Sequence, residues 1–330
     1  MNFKESIEIK KVIDNSKNVL LALHQSPDPD SIVSNLLIAK YLTLKNINHT
    51  IICTDLIPKR FKEIYKLENV IEVKDIDSFK LDSYDLFLAL DVNQPQRFGF
   101  TDKHFFNEVI NIDHHYTENG FQGLKINDSG YSSTTEILFY LLEDFGYKFA
   151  DDDLKYVLLG IITDTNAFSY GASAKLFRTV SRLMEMGVNY DEVDAIIYRN
   201  NSIDQIKFWG TSLSRIKVNK KLRFAYVALD RKTISKYPDI VQGTRTLADM
   251  FARTIKDTDF CVVMSESDEG FLKISVRARL ENYGVMDLLK SLNGGGHFSG
   301  GGGKIDLPYR EAVKETLRLS KIFAKNKLKI

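Results

Sequence analysis

From Asn18 to Ile112 the chain alternates strand-sized apolar runs with longer segments, and that alternation limits the fold more than any other feature. Asn18–His24, His49–Cys53, Tyr84–Leu90 and Glu108–Ile112 have the length and apolar content of buried strands, while Asp30–Asn46 has the length of a helix. Strands joined through a helix lie parallel, because a hairpin cannot be closed over such a connection. The predicted architecture is therefore α/β: a doubly wound, mostly parallel sheet, with helices at Tyr131–Phe145, Asp152–Ile162, Ala174–Met186 and Asp191–Tyr198.

At 330 residues the chain can bury two cores. It turns polar at Arg199-Asn200-Asn201-Ser202, which places a hinge between about Gly187 and Asn201. We expect a first domain over 1–187, a helical linker over 188–205 and a smaller α/β domain over 206–330. The second domain should hold strands at Leu222–Leu229, Phe260–Met264 and Phe271–Val276 and helices at Leu247–Thr254 and near Gly284.

Composition excludes several classes. Hydrophobic residues make up 44% and charged residues 27%, the balance of a globular protein and not of a disordered or membrane one. Apolar runs such as Leu86–Leu90 are too short to span a bilayer. The first residues lack the basic and then apolar pattern of a secretion signal, and Cys53 and Cys261 lie too far apart to suggest a disulfide framework or thiolate site. A cytoplasmic location is expected, with no membrane partner. Forty-five basic against 44 acidic side chains leave a net charge of +1, whereas proteins that grip long nucleic acids carry a marked basic excess. A small anion held by a few local groups is the better ligand.

Three of the predicted strands run into metal-ligating side chains. Asn18–His24 leads into His24-Gln25-Ser26-Pro27-Asp28-Pro29-Asp30, Tyr84–Leu90 into Asp91, and Glu108–Ile112 into Asp113-His114-His115. Strand ends in an open α/β sheet point at the ligand crevice. A fourth acidic group, Asp164, closes an apolar helix, where a negative charge opposes the macrodipole unless a cation compensates it. Each has a bland rival: Asp30 can cap the following helix, and Asp91 and Asp113 can form turns. Three imidazoles and five carboxylates, Asp28, Asp30, Asp91, Asp113 and Asp164, are more than one metal needs, and two metals can share them through a bridging carboxylate. His49 and His104 have no acidic neighbour at ligand spacing and read as packing or surface residues.

The order His-x-x-x-Asp-x-Asp, Asp, Asp-His-His, Asp over Leu20–Thr165 resembles the DHH phosphoesterase family. Ser275-Val276-Arg277-Ala278 and Gly294-Gly295-Gly296-His297 resemble the DHHA1 domain that often follows, and the closest type is the nanoRNase and pAp-phosphatase. The resemblance implies an active site in the interdomain cleft and two divalent metal ions. His24, Asp28 and Asp91 would hold one, and Asp30, Asp91, His114 and Asp164 the other. Asp113 would orient a neighbouring histidine, and His115 would face the substrate phosphate. Mn²⁺ suits mixed imidazole and carboxylate ligands better than Mg²⁺ or Ca²⁺.

Arg277, Gly294, Gly295, Gly296 and His297 would bind the substrate's terminal phosphate. Seven of the ten residues from Gly294 to Gly303 are glycine, which reads either as a linker or as a loop whose amides are free to approach a phosphate. The sequence departs from the family pattern at Pro29, Val33, Ala278 and Gly300-Gly301, none of them a metal ligand.

The function implied is metal-dependent hydrolysis of short single-stranded oligonucleotides to mononucleotides and removal of the 3'-phosphate from pAp. Its rivals are a cyclic dinucleotide phosphodiesterase and a non-catalytic nucleotide-binding regulator. No long nucleic acid is expected as a partner, and a homodimer is compatible with everything in the sequence.

Overall fold

In the computed structural model, helix α1 (Ser6–Asn15) leads into strand β1 (Asn18–Leu23), whose last five residues are all buried. Burial on both faces marks a central parallel strand. Helix α2 (Pro29–Leu44) carries the chain to β2 (Asn48–Cys53), followed by β3 (Val70–Glu72), β4 (Leu86–Leu90), β5 (Val109–Asp113) and β6 (Leu124–Asn127). These six strands form one sheet in the order β3-β2-β1-β4-β5-β6, with every neighbouring pair parallel. The order runs outward from β1 to β3 on one side and from β4 to β6 on the other. β1 and β4 therefore meet at a topological switch point, the place where such sheets bind ligands beyond their strand ends. The structure describes residues 2–329 except 58–60, 63–64, 93, 102–103, 105, 116–119, 200, 239, 241–242 and 281.

Side chains alternate across the sheet and build two cores. Leu21, Leu23, Leu88 and Leu90 join the core formed with α2, α3 (Thr134–Asp144) and α4 (Asp151–Asp164). Leu20, Ala22, Phe87 and Ala89 face the other way, onto Phe98, Phe100 and Phe121. Phe87 meets these rings edge-on and stacks on Phe106 at 4.5 Å, so aromatic side chains cover this face.

The chain divides into two units, Met1–Asn200 and Asn201–Ile330. Stretch 188–205, read from the sequence as a linker, is shared between them. After α5 (Ala174–Glu185), helix α6 (Tyr190–Tyr198) buries Val193 in the first unit's core, whereas α7 (Ile203–Leu213) buries Phe208 in the second's.

The second unit continues with β7 (Lys217–Asn219), β8 (Phe224–Leu229), α8 (Arg231–Ile234), α9 (Gly243–Thr254), β9 (Phe260–Glu266) and β10 (Leu272–Ala278). It ends with α10 (Met286–Ser291), β11 (Gly295–His297), β12 (Gly300–Ile305) and α11 (Tyr309–Leu328). Its strands form a mixed sheet in the order β11-β12-β10-β9-β8-β7, parallel only between β8 and β9. Cys53 and Cys261 are buried, free thiols. No helix of the described residues is long and apolar enough to cross a membrane.

Candidate metal centre

The site gathers at the switch point because each strand delivers its ligand within one or two residues of its end. His24 follows β1 and is buried, with Nδ1 2.8 Å from the Gln25 carbonyl. That bond assigns the proton to Nδ1 and leaves Nε2 facing Asp28 Oδ1 and Asp91 Oδ2, each 3.6 Å away. Asp91 follows β4 and accepts a 3.1 Å hydrogen bond from Thr134 Oγ1. Asp113 is the last residue of β5, so it belongs to the strand itself.

Asp28 and Asp30 exchange the roles that helix capping suggests. The N-cap of α2 is Asp28, whose Oδ1 accepts from the Ser31 amide at 3.2 Å, because Pro29 takes the first helical position. Asp30 lies one step inside and is fully buried. It accepts from the amides of Thr134 and Thr135 at 2.8 and 2.9 Å, and from the Thr135 hydroxyl. Those amides open α3, whose unpaired N–H groups and dipole favour a carboxylate. Thr134 and Thr135 thus hold two candidate ligand carboxylates, and nothing in the sequence set them apart from an ordinary helix start.

Asp113 Oδ1 accepts from the His115 amide at 3.0 Å and lies 2.7 Å from His115 Nδ1, which identifies His115 as the histidine it orients. His114 Nε2 lies 3.3 Å from Asp164 Oδ2 and 3.7 Å from Asp91 Oδ1. That nitrogen is buried and has no hydrogen-bond partner among the described residues. An imidazole nitrogen in that condition, aimed among carboxylates, fits a metal ion better than it fits solvent or protein. Among the described residues, three groups have ligand atoms within 4.8 Å of one another: His24, Asp28 and Asp91; Asp30, His114 and Asp164; and Asp91, Asp113, His114 and His115. His104 also meets a carboxylate, Asp77 at 3.0 Å, across a distance in sequence that spacing could not show; among the described residues no third ligand joins them.

The electrostatics call for a cation. Burial, followed by the nearby Asp30 carboxylate, pushes the Asp91 carboxyl well above its ordinary range. Burial also raises Asp30, against the opposing pull of His114. Burial works to lower His24, yet Asp28 and then Asp91 outweigh it and push the imidazole up to about 10. Among the described residues, neither Asp30 nor Asp91 pairs with a lysine or arginine.

Raised carboxyl values mean that the folded, metal-free protein binds more protons than the unfolded chain, so its stability falls as pH rises above the ordinary carboxylate range. A divalent ion must displace those protons. Calorimetric titration with Mn²⁺ in buffers of different ionisation heat should show net proton release and an affinity that increases with pH. A pH-independent affinity would contradict this account.

Gly160 of α4 is a further residue the site needs. A Cβ there would lie 2.5 Å from Thr135 Oγ1 and 3.2 Å from Asp30 Oδ1. Helix propensity alone favours Ala over Gly by about 1 kcal/mol, but overpacking costs about 1–3 kcal/mol. Gly160→Ala should therefore lower the melting temperature, and by displacing Asp30 weaken Mn²⁺ binding about 10- to 100-fold. Unchanged binding would show that Asp30 is free to shift.

Residues 18–163 match the model of the DHH family, N-terminal domain. The chain carries a DHH-family N-terminal domain. The DHH domain's namesake Asp113-His114-His115 thus stands at the end of β5, beside the candidate ligands Asp91 after β4, Asp30 of α2 and Asp164 of α4. Over 217 residues, 64% of each chain, the sequence is 30% identical to an uncharacterized protein of Mycoplasma genitalium. It is 26% identical over 324 residues to the bifunctional oligoribonuclease and PAP phosphatase NrnA of Thermus thermophilus, covering 94% of this chain and 93% of that one. A crystal structure of an exopolyphosphatase-related protein from Bacteroides fragilis shares the fold, with a TM-score of 0.86 over 97% of this chain and 96% of that one at 23% identity.

The five expected substrate residues lie outside the DHH domain, in the second unit. The glycine-rich stretch is neither linker nor open loop. It is a β-hairpin: β12 pairs with β10 on one side and β11 on the other, and β11 lies at the edge of the sheet. Glycine is required there by close approach, since a Cβ on Gly294, Gly296 or Gly301 would collide with the facing backbone.

Arg277, Gly300 and His297 stand in one row across the three strands. The Arg277 side chain passes over Gly300, where a Cβ would lie 2.5 Å from its Cδ. Its Nε donates to Asp249 at 2.7 Å, and one terminal nitrogen donates to the Val276 and Gly301 carbonyls. The side chain of His297 lies outside the described residues.

Proposed function

We propose that this protein is a two-metal phosphoesterase that hydrolyses short oligonucleotides to mononucleotides and removes the 3'-phosphate from pAp. The observation that carries the reading is the pair of ligand groups meeting at Asp91, whose two oxygens lie toward different histidines: Oδ2 is 3.6 Å from His24 Nε2 and Oδ1 is 3.7 Å from His114 Nε2. Two divalent ions held there would supply activation of water and neutralisation of charge on a phosphoryl group. We assign one to His24, Asp28 and Asp91 and the other to Asp30, Asp91, His114 and Asp164. The mixture of imidazole and carboxylate ligands favours Mn²⁺.

In this reading, Asp113 fixes the His115 ring by holding Nδ1. Nε2 is then the nitrogen presented to the substrate, as a donor to the phosphate or to the departing oxygen. Arg277, with the backbone of Gly294–Gly296 and with His297, grips a terminal phosphate and so selects short substrates; the near-neutral net charge agrees with that limit. Similarity to the oligoribonuclease and PAP phosphatase of Thermus thermophilus over 94% of the chain supports this substrate class.

The test offers a ribodinucleotide, pAp, cyclic di-AMP and pyrophosphate in parallel to the purified protein with Mn²⁺. Hydrolysis of the dinucleotide and pAp is expected. Preference for the cyclic substrate would replace this reading with a cyclic dinucleotide phosphodiesterase, and no hydrolysis of any nucleotide would refute the enzyme.

A further inference from the structure

Asp91 has a φ of +60°, in the left-handed region. For a residue with a Cβ this conformation costs about 1–2 kcal/mol, less for Asp and Asn than for others. The carboxylate that faces both His24 and His114 is therefore carried on a backbone turn that needs external support.

The support is visible in β5. Asn111 is buried between Ile110 and Ile112, where a strand covered on both faces would ordinarily carry another apolar residue. Its Nδ2 donates to the Ala89 carbonyl at 3.0 Å and to the Val92 carbonyl at 2.9 Å, bridging the turn from one side of Asp91 to the other. Its Oδ1 accepts from Asn127 Nδ2 at 3.1 Å, which fixes which end of the amide faces the turn. The Asp91 amide itself donates to the Ile112 carbonyl at 3.0 Å. A buried amide is costly unless its partners are met, and both ends of this one are met.

We infer that Asn111 is a positioning residue: its side-chain amide, oriented by Asn127, clamps the turn after β4 and so sets where the Asp91 carboxylate stands. The inference rests on the proposed role of Asp91 as a shared metal ligand. β5 thus acts on the metal centre twice, through Asp113-His114-His115 at its end and through Asn111 within it.

Two variants test this, Asn111→Leu, which is nearly isosteric and apolar, and Asn127→Ala, on the exposed edge strand. For Asn111→Leu, calorimetry should show Mn²⁺ affinity weakened about 10- to 100-fold, the range for groups that orient ligands. Saturating Mn²⁺ should restore most of kcat, and the melting temperature of the metal-free protein should fall, because the Ala89 and Val92 carbonyls lose their donor. Asn127→Ala should weaken Mn²⁺ binding in the same direction by less, and it carries the test alone if Asn111→Leu fails to fold. Wild-type affinity in both folded variants, or in Asn127→Ala alone where the other is unfolded, would overturn the clamp. Metal affinity is read apart from hydrolysis, so a wild-type protein that binds Mn²⁺ but cleaves no nucleotide would refute the enzyme and leave the clamp testable. A wild-type protein that binds no Mn²⁺ would overturn both.

Discussion

Asp91→Asn is expected to lower phosphoesterase activity at least ~10³-fold, about 4 kcal/mol of lost transition-state stabilisation, while making the metal-free protein more stable. The two effects have one cause. Asp91 is buried beside Asp30, and both pressures hold its carboxyl in the protonated form unless a cation is present. Asparagine keeps the shape, tolerates φ of +60° and can still accept from Thr134 Oγ1. What it loses is the charge, and with it the attraction shared between two metal positions. A group whose value is raised on folding contributes stability below the unfolded value and loses it as pH rises. The stabilisation by Asp91→Asn should therefore be larger at pH 8 than at pH 5 when melting is followed with chelator present. Activity within tenfold of wild type would rule out Asp91 as the shared ligand.

His115→Gln should reduce kcat about 10²- to 10³-fold, within the usual range for a proton-transfer group, and leave Mn²⁺ affinity near that of wild type. The geometry allows two readings, because His115 also belongs to a possible ligand group with Asp91, Asp113 and His114. Two observations favour the substrate-facing role. Nδ1 is committed to the fully buried Asp113 at 2.7 Å, and the side chain is the most open of the site's three imidazoles. Burial works to lower this imidazole, but the Asp113 hydrogen bond prevails and raises it, so it stays protonated to a higher pH than a free histidine. The alkaline limb of the activity profile should flatten in His115→Gln. A tenfold loss of Mn²⁺ affinity would instead make His115 a ligand.

Much of this site can be read from the sequence, for a physical reason. A strand buried on both faces appears as an unbroken apolar run, and a ligand at its end appears as the first polar residue after it. His24, Asp91 and Asp113 announce themselves in that way. The residues that hold them do not. Thr134 and Thr135 look like a common helix start, Gly160 like a weak point in a helix and Asn111 like a break in an apolar run; each acquires its role only through contacts with distant segments. Strands β3 and β6 escape notice because they are short and partly exposed at the sheet edges. The glycine run misleads in the opposite direction, since glycine has little strand preference of its own and here is enforced by backbone proximity.

The glycine strand has a consequence for alignment between neighbours. Side chains normally fix register, because a shift of one residue turns a strand's buried set outward. Gly300–Gly303 has no side chains to misplace, so the interior of β12 cannot tell one alignment with β10 from the next. The alignment must be locked at the two ends. Ile305, paired with Leu272, is buried at one end, and at the other Arg277 occupies the space over Gly300 while bonded to Asp249. The number of glycines between these two anchors therefore matters more than any one of them, because it alone measures the distance that keeps Arg277 and His297 in the same row.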